Sequence, residues 1–142
     1  SIALKFNNEI MSGVIFDPIK NEIFYAEKNN GSFFNNQRIR VSKKNDLDEC
    51  LFTTNHLGAK YSDLNLRYTG CAALDLAYVG AGRLDGFFHN NINIWDIAAG
   101  VIIVEEAGGK VNDLNNFEIN NIDIRAASSN IYSKMLEKLK NF

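Results

Sequence analysis

Trp95 and Asp96 stand side by side at the head of an almost uncharged run, "IAAGVIIV", over residues 97–104. A carboxylate at the mouth of a helix has two uses. It can accept the orphan backbone N–H groups as a cap, or it can serve as a hard oxygen ligand beside a phosphate drawn to the same mouth. The residues alone leave both open for Asp96. A magnesium ion needs several oxygen ligands, so Asp96 needs partners, and Asp75, Asp85 and Asp113 are the candidates. Asp75 falls inside an apolar helical pattern and reads as structural, while Asp85 precedes Gly86 and reads as a turn residue. Glu105 and Glu106 lie about 14 to 15 Å farther along a helix axis, too far to share one ion with Asp96. Trp95 reads as a packing anchor that steadies the segment before the helix.

A second group is "GCAAL" at residues 70–74, where short side chains open a helix and the amides of Gly70, Cys71 and Ala72 can meet an anion or a sugar hydroxyl. Close helix packing explains the same composition. His56 and His89 are too few and too separated to announce zinc, and Arg67 is a lone arginine suited to a surface, a phosphate or a partner subunit. Glycine-rich nucleotide loops are absent.

These side chains must be held by elements that the pattern outlines. Before residue 45, "SIALKF", "MSGVIFD", "EIFYAE" and "GSFFNNQRIRV" read as short strands of an antiparallel meander, with Asn35 and Asn36 suited to a tight turn. After Cys50, strand candidates "LFTTN", "RLDGFF", "KVNDL" and "IDIRAAS" alternate with helical text at 71–79, after Asp96 and at 131–140. Thr69, Asp96 and Asn130 are expected as N-caps, and Gly108 and Gly109 as a stop. The expectation is a mixed α+β and α/β fold with helices packed on a sheet. Residues 1–45 and 46–142 are expected as two parts of one compact unit.

With 142 residues, 46% of them hydrophobic, the chain has the length of one domain and can bury a core. A net charge of -2 with no basic stripe argues against nucleic acid. No apolar run approaches the roughly 20 residues of a membrane span. Two separated cysteines and the lack of a secretion signal point to reduced thiols in the cytoplasm. The abundant asparagines reflect coding bias as much as function.

Taken together, "GVIFDPIKNEIFYAEKNNGSFFNNQRIRVS", "RYTGCAALDLAYVGAGRLDGFF" and "WDIAAGVIIVEEAGGKVNDL" resemble the inositol monophosphatase family of magnesium-dependent phosphomonoesterases. The resemblance implies a layered sandwich and the hydrolysis of inositol or other small polyol or sugar monophosphates. It implies Asp96 as catalytic magnesium ligand and substrate contact, Cys71 and Ala72 on the sugar side of the pocket, and Arg67 at the pocket wall or subunit boundary. His89 stands where the family carries a substrate-binding acid. The family's upstream glutamate and its "DPxDGTxNF" motif are not found, and Asp17-Pro18 is not that motif. The expectation is therefore a partial fold, the C-terminal portion of such an enzyme, impaired or inactive as a 142-residue chain. The alternative is a non-catalytic structural or interaction module. Either way a homo-oligomer, or a missing N-terminal half, is expected as partner.

Overall fold

The structure, a computed structural model, describes residues 1–55, 61, 63–114 and 120–140. Five strands come first: β1 Ile2–Phe6, β2 Glu9–Asp17, β3 Glu22–Glu27, β4 Gly31–Phe34 and β5 Gln37–Arg38. They pair antiparallel in chain order as one meander sheet. Its turns rest on asparagine, which tolerates left-handed backbone better than other non-glycine residues. Asn35 and Asn36, at φ 43° and 67°, make the tight β4–β5 turn. All eight non-glycine residues at positive φ among the described residues are asparagines, so their abundance has a structural use that composition did not disclose.

A 3-10 turn, Leu47–Glu49, leads into the second half. There follow β6 Leu51–Thr53, β7 Asn65–Arg67, α1 Ala72–Gly80, β8 Gly86–Ile92, α2 Ile94–Glu106, β9 Gly109–Val111, β10 Ile122–Ser128 and α3 Tyr132–Lys140. The second sheet runs β7-β6-β8-β10-β9. It is mixed: β6 lies parallel to β7 and β8, while β10 is antiparallel to β8 and β9. His56 lies outside the described residues.

The helices α1 and α2 form the layer between the two sheets. Ile15 and Phe24 from the meander, Leu76 and Val79 from α1, Ile97 and Ile102 from α2, and Phe87 and Ile124 from the second sheet share one buried cluster. Strand alternation sends Phe88 to the opposite face, where it meets Phe52, Ile131 and Met135 under α3. Two glycines let backbones meet. A Cβ on Gly13 of β2 would stand 2.7 Å from the Cα of Ala99, and one on Gly100 would stand 2.4 Å from the Cβ of Leu76.

Four local expectations are corrected. Asp96 is not the cap of α2: Asn93 holds that position in extended backbone, and Asp96 sits in the first turn with its N–H donating to Asn93 O at 3.1 Å. The helix starts earlier because Ile94 and Trp95 are themselves compatible with its first turn. Trp95 is 57% exposed rather than a buried anchor, since α2 turns its opposite face to the core. Thr69 does not cap α1, whose N-cap is Cys71, and Asn130 spends its side-chain N–H on Lys43 O at 3.1 Å. The stop is as expected, with Gly108 at φ 88° just after the last residue of the α2 end.

Candidate functional site

A cavity of about 560 Å³ opens where the starts of α1 and α2 meet the end of β8. That volume lies in the range of small-molecule sites, roughly 300 to 1,000 Å³. Cys71, Ala72, His89 and Asp96 all line it. They come from three elements separated by up to 25 positions, and the central helix layer brings them together. Arg67 does not line it; it is exposed on the edge strand β7, with its guanidinium bonded to Leu66 O at 2.9 Å.

Both helix starts at this cavity lack a side-chain cap. The first intrahelical bond of α1 runs from Asp75 N to Cys71 O at 3.0 Å, so the N–H groups ahead of it have no carbonyl within the helix. Two positive helix ends thus face one hollow, an arrangement that attracts an anion or a sugar oxygen. Asp96 adds a half-buried carboxylate that no donor or cation engages among the described residues.

His89 is half-buried on β8, and its Nδ1 lies 2.8 Å from Asn90 O. A carbonyl only accepts, so Nδ1 carries the proton in that contact. Arg125 on β10 steadies this strand end by donating to His89 O at 3.0 Å.

Asp75, which the pattern reads as structural, belongs to the same site. It is 4% exposed, lines the cavity and accepts a 2.6 Å hydrogen bond from Thr69 Oγ1. Burial pushes its carboxyl up to about 6, against the opposing pull of the Thr69 bond. The available signal was a single charge within "CAALDLAYV", because an acid on an apolar helix must find a partner or a purpose. The other candidate acids lie elsewhere. Asp85 is buried away from the cavity, where it bonds Lys44 and Leu51 N, and Asp113 borders a different hollow. Glu106, at the far end of α2, accepts from Asn29 N and Gly31 N at 2.9 and 2.8 Å. Among the described residues no three His, Cys, Asp or Glu side chains form a group able to hold a metal ion, so a metal-binding cluster is not borne out.

Comparison with known proteins follows the same outline. A family model described as the inositol monophosphatase family matches residues 1–141. A Thermotoga maritima fructose-1,6-bisphosphatase/inositol-1-monophosphatase is 45% identical over 133 residues, 84% of this chain and 50% of that protein. The Nus factor SuhB of Haemophilus influenzae is 36% identical over 99% of this chain and 59% of its own length. The crystal structure of the extragenic suppressor protein suhB from Bartonella henselae superposes with TM-score 0.87 at 40% identity, over 97% of this chain and 62% of that one. The chain spans about half to three fifths of the curated relatives it matches.

Against the expectation of a partial sandwich, of a C-terminal remnant and of an inactive fragment, the findings set a family match and a fold that extend through this chain. The likeness runs through residues 1–141 and the fold superposes over nearly the whole chain, with the meander and the alternating half both present. No helix among the described residues is long and apolar enough to cross a membrane.

Proposed function

The chain belongs to the inositol monophosphatase family, matched over residues 1–141, and from that premise we propose that it serves the hydrolysis of a small polyol or sugar monophosphate to alcohol and phosphate, with Mg²⁺ as cofactor. The observation that carries this reading is the cavity at which two uncapped helix starts converge beside Asp96. Phosphate esters pair an anion with hydroxyls, and orphan N–H groups at a helix mouth suit both. Substrate contact falls to Cys71, Ala72, His89 and Asp96, which line one hollow. We assign Arg67 to a boundary between copies of the chain, residues 1–45 to the meander subdomain and 46–142 to the α/β subdomain, and the setting to the cytoplasm.

Asp96 offers a hard oxygen with no competing partner among the described residues, and no closed cage surrounds it. That suits Mg²⁺, which keeps water and phosphate oxygens and takes one or two carboxylates from protein. When bound, the ion supplies charge to the phosphoryl oxygens and lowers the pKa of water. The chain's own contribution is orientation. Asp96 is fixed in the first turn of α2, the α1 amides meet the ligand from the other side, and Arg125 holds the β8 end that carries His89.

The test is magnesium-dependent phosphate release from inositol 1-phosphate by the wild type and by Asp96→Asn. Release that falls at least a hundredfold in the variant is expected. Folded wild-type protein that frees no phosphate from a panel of polyol and sugar monophosphates would overturn the proposal.

A further inference from the structure

Asp75 is a buried acid with half of its bonding capacity unspent. Its Oδ1 accepts a hydrogen bond from the Thr69 hydroxyl at 2.6 Å, and Thr69 Oγ1 in turn accepts from Cys71 N–H at 3.3 Å. This relay closes the turn before α1. Among the described residues Oδ2 has no partner, although Asp75 is 4% exposed and borders the cavity. An asparagine would serve the turn equally well, since its carbonyl accepts the same hydroxyl without a buried charge. The carboxylate is therefore held for something other than the turn. Asp75 lies one helical turn from Cys71 and Ala72 and shares their face of α1.

We infer that Asp75 is a specificity-determining residue whose Oδ2 accepts a hydroxyl of the polyol part of the ligand, while that hydroxyl oxygen accepts from the α1 amides. The inference deepens the proposed function and rests on its polyol reading. The chemistry of the two neighbours selects the group. An ionised carboxylate only accepts, which repels phosphate, and helix-start amides only donate, which repels an ammonium. A hydroxyl donates to one and accepts from the other. The phosphate end is then directed away from Asp75.

Equilibrium binding of free myo-inositol and of inorganic phosphate, to the wild type and to Asp75→Asn, tests this without requiring turnover. Asparagine keeps the Thr69 bond, so the fold is retained, and thermal unfolding of both proteins verifies it. Inositol affinity is expected to drop at least tenfold in the variant while phosphate affinity holds or rises, because a negative charge has gone. Equal inositol affinity in the two proteins overturns the inference, and so does a parallel loss of both ligands, which is the mark of a merely structural role. Absence of inositol binding to the wild type overturns it as well. Phosphate release by the wild type alongside unchanged inositol binding would sink this inference and leave the proposed function standing. Asp75-dependent inositol binding without phosphate release would do the reverse.

Discussion

Asp75 and Asp96 both stand in the first turns of a helix at one cavity, yet their surroundings set them apart. Asp96 is half-buried and open to a ligand. Asp75 is buried, and desolvation raises its carboxyl to about 6. The folded state thus binds the proton more tightly than the unfolded chain, whose aspartates titrate near 3.9. Its contribution to stability is fully present below about pH 4 and is lost as pH rises through about 6. At roughly 1.4 kcal/mol per unit, ionised Asp75 costs on the order of 1 to 3 kcal/mol at neutral pH. Asp75→Asn is expected to raise stability by that amount at pH 7 and to converge with the wild type near pH 4. Urea unfolding at the two pH values checks it, and a variant less stable at pH 7 would mean that the carboxylate is compensated. Sequence reading marked Asp96 from its neighbours but took Asp75 for a structural acid, because burial is a property of the packed helix and not of the local pattern.

At the scale of elements, α2 organises the molecule. Its first turn reaches the cavity, its middle packs between the sheets, and Glu106 at its end ties the turn between β3 and β4. A carboxylate is disfavoured at a helix C-terminus by the dipole, and two backbone donors offset that here. Arg83, just beyond α1, forms a bidentate pair with Glu22 of β3 and lies 4.7 Å from the Phe34 ring centre. The approach of β2 to α2 depends on Gly13, where an added methyl would meet main-chain atoms that no rotamer change can move. Gly13→Ala is expected to destabilise by about 2 kcal/mol or more, although alanine is the better residue for an ordered backbone. A denaturant midpoint at or above that of the wild type would contradict this packing.

For the whole molecule, the join between its two halves is polar. Asp85, 2% exposed, accepts from Lys44 Nζ at 2.9 Å and from Leu51 N at 2.7 Å, and so links the connecting segment to the start of the second sheet. Lys44, more exposed, is held protonated by this partner, its pKa raised above the ordinary lysine value. Removing the acid strands the Leu51 backbone donor, which costs about 1 to 3 kcal/mol, while Lys44, exposed and still bonded to Glu49 O, is taken up by solvent. Asp85→Ala should lower unfolding stability by that amount, whereas Mg²⁺ affinity of the remaining folded protein should not change, since Asp85 lies outside the cavity. A loss of Mg²⁺ affinity would bring Asp85 back as a ligand. The likeness to relatives runs through the chain while the chain spans about half to three fifths of their length, and residues 1–141 carry it.

What the sequence determined by itself was the alternation of strands, the glycine stop after α2, the meander followed by helices on a sheet, and the family that the motifs share. All of these are short-range or pattern properties, written in residues a few positions apart. The tertiary structure alone decided which aspartate is buried, that Asn93 rather than Asp96 begins α2, that Trp95 faces outward, and that Cys71, Ala72, His89 and Asp96 border one cavity. Those outcomes depend on which face of each helix meets which sheet. That choice is made by packing between residues far apart in the chain, where a side chain's desolvation and partners are set by neighbours that local spacing does not contain.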